Sequence, residues 1–176
     1  MADPGDDILV QRALRADPQS FGELCSRHYP SLVAVADAVL MDHHLAEDAA
    51  QEALAEACRQ LARLKKPERF GPWVAAICRN VAKDMLRQRH RRAEPVADGP
   101  AQERDSSQDE RKAMLDQALQ QLPSHLREAI FLRFYNEMSY EQMAKVLGAS
   151  EQTIDGRLRR AKKRIAAYLA RKGFRR

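Results

Sequence analysis

Apolar side chains recur every three or four residues along most of the chain, and no stretch shows the strict alternation of a half-buried strand. The pattern predicts an all-α protein. Residues 6–16 place Leu9, Val10, Ala13 and Leu14 on one stripe. Residues 20–41 carry Phe21, Leu24, Cys25, His28, Leu32, Val35, Ala36 and Val39 at helical spacing, and residues 44–64 carry Ala46, Ala50, Ala53, Leu54, Ala57, Leu61 and Leu64. Residues 70–91 follow with Trp73, Val74, Ile77, Cys78 and Val81. Asp17-Pro18, Asp42-His43 and Pro67 punctuate these four helices, and Pro30 inside the second is expected to kink it.

A second group of helices begins near residue 110. Residues 110–122 are apolar at Met114, Leu115, Ala118, Leu119 and Leu122, and Pro123 stops them. Ser124 is expected to cap the next helix, which turns Leu126, Ile130 and Phe134 inward. Ser139, followed three residues on by Gln142, is a capping box for a short helix with Met143, Ala144 and Leu147 inside. Gly148 supplies the left-handed residue that ends it, and Ser150 caps a last helix striped by Ile154, Leu158, Ala161 and Ile165. Cap, small residue, glycine turn and locking isoleucine in this register predict a helix-turn-helix.

Between the two groups, residues 93–110 (AEPVADGPAQERDSSQDE) have the composition of a flexible linker. The chain therefore divides into a domain at 1–92, a linker at 93–110 and a domain at 111–176. Charge follows the same division. Residues 1–64 carry eleven acidic and five basic side chains, a net −6, and residues 65–92 two and nine, a net +7. The linker carries six and one, a net −5, and the last segment six and fifteen, a net +9. Blocks of alternating sign point to different partners for different segments. Cys25, Cys58 and Cys78 are too far apart for a zinc or redox motif and read as buried free thiols of a reducing cytoplasm. No apolar run is long enough to span a membrane, and the acidic MADPGDD start is unlike a signal peptide, so a cytoplasmic protein is expected.

Three surfaces carry candidate chemistry. The outer face of the last helix presents Gln152, Thr153, Arg157, Arg159, Arg160, Lys163 and Arg164, polar groups for base edges followed by cations for phosphates. Residues 70–92 begin as core and end as a cationic rod of Arg79, Lys83, Arg87, Arg89, His90, Arg91 and Arg92. The helix before it is acidic, with Glu47, Asp48, Gln51, Glu52 and Glu56 close together. Each has a plainer reading: a solvated basic face, a core tryptophan, a solvated acidic face. His43, His44, Glu47 and Asp48 share helical spacing, but adjacent histidines point different ways and no further cluster completes a metal shell. No phosphate loop, nucleophile constellation or paired carboxylate in an apolar setting supports enzyme chemistry, and no cofactor is expected. Two other binding roles fit parts of the pattern: a dimeric stand-alone helix-turn-helix regulator and an adaptor using the acidic helix.

Taken in order, AEDAAQEALAEACRQL, FGPWVAAICRNVAKDMLRQRHRR and LPSHLREAIFLRFYNEMSYEQMAKVLGASEQTIDGRLRRAKKRI resemble the extracytoplasmic-function class of bacterial RNA polymerase sigma factors over nearly the whole chain. The resemblance implies binding to core polymerase through Asp48, Gln51 and Glu52 on the β′ clamp helices, with the C-terminal domain at the β flap. It implies that Trp73 and residues 65–69 sit where the promoter minus-ten duplex opens and that Asn80 reads an unstacked non-template base. Capture of that base would offset the few kcal/mol of unpairing, so DNA melts without ATP. Lys83, Arg87, Arg89, Arg91 and Arg92 would hold duplex DNA there. Ser150, Gln152, Thr153, Asp155, Arg157, Arg159, Arg160 and Lys163 would meet the minus-thirty-five element. An anti-sigma partner is implied as well, and the short tail implies no additional C-terminal sensory domain. Asp155 and Gly156 depart from the family, which commonly has a basic residue and then serine there. Asp155 suits a cytosine amino group better than a phosphate.

Overall fold

A computed structural model of the chain describes residues 4–91 and 107–173. Its order is α1 (Asp6–Ala13), α2 (Pro18–Leu40), α3 (His43–Gln60), two 3-10 turns (Leu61–Arg63 and Pro67–Arg69), α4 (Phe70–Arg91), α5 (Ser107–Gln120), α6 (Ser124–Phe134), α7 (Tyr140–Leu147) and α8 (Glu151–Arg171). The described residues contain no strand, as the periodicity predicts.

Helix starts follow local chemistry. The Asp17 carboxylate accepts from the amides of Gln19 (3.1 Å) and Ser20 (3.4 Å), and Pro18 occupies the first helical position, so α2 starts two residues earlier than its apolar stripe suggests. Asp42 does the same for α3 by accepting from Leu45 (3.2 Å). Met41 between them is left-handed, at φ 54°, and closes the α2–α3 hairpin. Helix α2 runs through Pro30, which is exposed.

The first four helices enclose one core. Ala46, Ala49, Ala50, Ala53 and Ala57 are fully buried along α3, and a stripe of small residues lets α2 and α4 approach closely. Phe70, Leu24, Leu32, Val74 and Cys78 fill the space between, each with no exposed surface. Helix α1 buries Leu9 and Val10 but leaves Leu14 exposed, contrary to its stripe. The Asp6 carboxylate holds α1 down by accepting from Arg27 (2.8 Å) and pairing with His28 Nε2 (2.7 Å). The cysteines differ more than the sequence suggests. Cys78 is buried, and that burial pushes its thiol up to about 12, but Cys25 is half-buried and Cys58 exposed.

In the C-terminal domain α5 begins at Ser107, inside the stretch expected to be linker. Ser124 is the first residue of α6 and caps nothing. Residues 126–132 of α6 are buried without interruption, and Phe134, expected inward, is 54% exposed. A helix enclosed on all sides has no polar face, so its periodicity misleads at the ends. The helix-turn-helix is as expected. The capping box of Ser139 and Gln142 is complete, Gly148 is left-handed at φ 60°, and Ser150 caps α8 by accepting from Thr153 (3.2 Å). Met143, Ile154 and Ala161 are fully buried and Leu158 nearly so.

The two domains touch. Helix α6 packs on α2 and α7 on α4. Arg127, 6% exposed, donates to the Ala38 carbonyl of α2 (2.8 Å) and to Leu122 (3.0 Å). Arg79 of α4 donates to Glu128 (2.5 Å), with only 13% and 8% of the two side chains exposed.

Candidate nucleic-acid interface

The α3 face is the acidic one. Asp48, Gln51 and Glu52 fall at i, i+3 and i+4, and all three are exposed while the alanines behind them are buried. Glu52 accepts from Arg59 (3.1 Å), which also donates to Glu56 (2.6 Å). Hydrogen bonds from Arg59 and then Gln60 hold the Glu56 carboxyl below the usual carboxylate range. The face thus keeps net negative charge on a rigid helix. His43 and His44 both point at Glu47, at 3.7 and 3.9 Å.

Trp73 is half-buried, its ring tilted against Phe70 with centroids 5.9 Å apart, so it is anchored at one edge and open at the other. The open edge forms the wall of a cleft of about 320 Å³ with Leu64, Lys65, Lys66, Ala76 and Val146. Its lining is apolar and its rim cationic, so it suits a planar aromatic group attached to an anion. Asn80 is exposed about two turns beyond Trp73 on α4.

The cationic rod is not uniform. Arg87 and Arg91 are exposed and Lys83 half-exposed; Arg87 reaches Asp84 at 3.1 Å. Arg89 departs from the expected role. It folds back on Asp42 (3.4 Å), and only 16% of its side chain is exposed. That guanidinium supports the carboxylate that caps α3. Arg79 departs too, being turned into the contact with Glu128. Arg92 lies outside the described residues.

On α8, Gln152, Thr153, Arg159, Arg160 and Lys163 are exposed and Arg157 half-exposed. Ser150 is occupied as the cap, and its hydroxyl lies 2.9 Å from that of Thr153. Asp155 pairs with Arg159 at 2.9 Å. The carboxylate repels a phosphate less than its position suggests, because it first neutralises its own neighbour. Gly156 sits in right-handed helix with room to spare, since an added Cβ would meet only the Arg160 guanidinium at 3.9 Å. Gly156→Ala is expected to stabilise α8 by about 1 kcal/mol and to raise the thermal midpoint by about 4 °C. A lower midpoint in a thermal melt would refute that reading of the site.

The sequence reading missed Arg127 and Glu128, the two buried charges of α6. An Arg-Glu pair in a run of seven residues whose other five are apolar was the available signal, because buried charges require partners.

Comparison with known proteins agrees with this layout. Residues 24–92 match the family model for Sigma-70 region 2 and residues 112–165 that for Sigma-70, region 4. The chain is 32% identical to the RNA polymerase sigma-H factor of Pseudomonas aeruginosa over 91% of either chain. It is 32% identical to the ECF RNA polymerase sigma factor EcfG of Rhodopseudomonas palustris over 80% of either. Among solved structures it resembles CnrH in complex with the cytosolic domain of CnrY (TM-score 0.71, 26% identity, 94% of this chain and 97% of that one). It also resembles the sigma factor RpoE in complex with the anti-sigma factor NepR from Bartonella quintana (TM-score 0.71, 28% identity, 86% and 98%).

Proposed function

Because the chain belongs to the extracytoplasmic-function class of RNA polymerase sigma factors, we propose a division of labour among its exposed faces. The acidic α3 face of Asp48, Gln51 and Glu52 docks on core polymerase, at the β′ clamp helices. Trp73, Asn80 and Lys83, with Arg87 and Arg91, engage minus-ten DNA. The α8 face reads the minus-thirty-five element, with Gln152 and Asp155 setting preference and Arg157, Arg160 and Lys163 holding phosphates while the domain rests on the β flap. The carrying observation is that the capped helix-turn-helix has its cations outward on the same chain as an acidic helix followed by a cationic one.

Melting follows from binding. The N-terminal side of the cleft beside Trp73 pairs apolar Leu64, Pro72 and Ala76 with the cations Lys65, Lys66 and Arg69, so an unstacked base and its phosphate gain contacts there that a paired base cannot make. Stacking on an aromatic ring contributes on the order of 1–3 kcal/mol per base, comparable with the cost of unpairing. The work is therefore binding rather than bond-making, without cofactor or metal. The site of action is the cytoplasm, with the polymerase. Among the described residues no helix is long and apolar enough to cross a membrane. An anti-sigma partner is part of the proposal, supported by the solved complex of the related RpoE with NepR.

The test is multi-round transcription by core polymerase with and without this protein on a pooled promoter library. Transcripts sharing a two-part upstream motif are expected. Absence of core binding, with tight dimeric attachment to duplex DNA alone, would transfer the case to a stand-alone regulator. The two fates of the cationic rod separate by salt. Replacing Arg87 and Arg91 with alanine is expected to reduce the slope of log K against log salt for the holoenzyme–promoter complex by about 0.9 per lost phosphate contact. Arg89→Ala is expected to leave that slope alone and lower the melting midpoint, because its partner is Asp42. The reverse pattern would restore Arg89 to the DNA.

A further inference from the structure

We propose that Cys25 of α2 and Cys58 of α3 are an oxidisable dithiol, which a peroxide closes to a disulfide across the α2–α3 hairpin and which thereby weakens docking through α3.

The hairpin places the two residues opposite each other. Cys25 lies fifteen residues before Leu40, the last of α2, and Cys58 fifteen residues after His43, the first of α3. At ~1.5 Å per residue, both stand about 22 Å from the turn. Both also lie on the facing sides of the hairpin. Cys25 continues the line of Tyr29, Leu32 and Ala36, and the last two are fully buried. Cys58 continues the line of His43, Glu47 and Leu54. That line faces α2, because His43 shares a cavity wall with Ser31, Ala34 and Asp37 of α2. Tyr29 and Leu54, one turn nearer to Met41, both pack on the core. Helix axes pack ~8–10 Å apart with Cα atoms ~2.3 Å off the axis. Facing Cα atoms therefore reach the ~4.4–6.8 Å that a disulfide spans, and the alanines of α3 favour the closer packing. The thiols also sense each other. Burial, and then the charge of Cys58, hold the Cys25 thiol above its ordinary range.

Cys58 is exposed and reacts first. Its thiolate attacks one peroxide oxygen, the O–O bond breaks, and the leaving oxygen takes up a proton, giving a sulfenic acid and water. Cys25, less acidic because it is half-buried, follows. It attacks the Cys58 sulfur, the S–O bond breaks, and a second water leaves. Two thiols and one hydrogen peroxide become one disulfide and two waters, with the peroxide reduced. In a reducing compartment such a bond is transient and reports the oxidant. Cys78 takes no part, being buried and donating to the Leu32 carbonyl at 3.4 Å. The bond ties the far end of α3 to α2 beside the Glu52–Arg59–Glu56 network. Drawing the exposed Cys58 inward turns α3 about its axis, and the docking face turns with it. This consequence, unlike the bond itself, rests on the docking role of α3 in the proposed function.

The test treats the full chain with hydrogen peroxide, blocks remaining thiols and maps unreduced peptides by mass spectrometry. A Cys25–Cys58 linked pair is expected, with the intact mass lower by two hydrogens. Two of the three thiols should disappear and return with dithiothreitol. The thermal midpoint of the oxidised protein is expected to rise by roughly 10 °C. Cys25→Ser should stop at a sulfenic acid on Cys58, trapped by dimedone, without a link. Linkage to Cys78, a free Cys25 beside an oxidised Cys58, or three surviving thiols overturns the proposal. Fluorescence anisotropy then compares core polymerase binding by the reduced and oxidised proteins. Oxidation is expected to weaken binding by roughly threefold or more, reversibly, and to have no effect on Cys58→Ser. Equal affinity with the bond in place overturns the switch. A reduced protein that ignores core polymerase removes the docking assignment instead, and the mapped bond makes that failure recognisable as a separate one.

Discussion

Replacing Phe70 with alanine is expected to cost the N-terminal domain about 3–5 kcal/mol, out of a total on the order of 5–15 kcal/mol. The ring has no exposed surface and stands where three elements meet. His28 of α2 packs on one side with centroids 5.2 Å apart, Trp73 of α4 on the other at 5.9 Å, and His28 is fixed by Asp6 of α1. Truncation would leave a cavity that three helices cannot close without losing that hydrogen bond. Chemical denaturation should show a large fall in midpoint with an unchanged slope, the signature of lost stability rather than an altered unfolded state. Phe134→Ala is the control, because at 54% exposed it should change the midpoint little. Equal effects at the two positions would mean that the core is misassigned. Function should follow stability here, since Phe70 starts the helix that carries Trp73 and Asn80.

The same two phenylalanines mark what a sequence can carry. Phe70 was legible as core because it opens an amphipathic stripe. Phe134 was not, because α6 is enclosed by α2, α7 and α8, and an enclosed helix has no periodicity to read. Features within a few residues were the most legible. The Ser139–Gln142 box, Gly148 and Ser150 each act over three or four positions, and all stand where expected. The partners of Arg79, Arg89 and Arg127 are 49, 47 and 89 residues distant, and no local pattern announces them. That is why a rod of seven cations in sequence becomes, in structure, a set with different duties. Arg79 joins the domains and Arg89 supports a helix cap, while Arg87 and Arg91 remain at the surface. Composition identified the right segment; long-range pairing decided which of its members face outward.

Reversing the acidic face, Asp48→Lys with Glu52→Lys, is expected to weaken binding to core polymerase by about a hundredfold or more and to abolish transcription at ordinary concentrations. An acidic patch implies a partner surface of opposite sign, and like charges brought together across an interface are strongly disfavoured. Little should be lost from the protein itself. Both side chains are exposed, and the Glu52–Arg59 pair, 55% and 58% exposed, is a surface pair of small worth. Buried alanines, not these carboxylates, hold α3 in place. The measurement is core binding by fluorescence anisotropy, alongside a thermal melt and single-strand binding. Loss of core affinity with the other two intact would locate docking on α3. Retained affinity would mean that polymerase engages another face, and since α4 and α8 are cationic, the partner surface would then have to be acidic. The sign of the charge reversal that matters therefore reads the sign of the polymerase surface as well as the position of the contact.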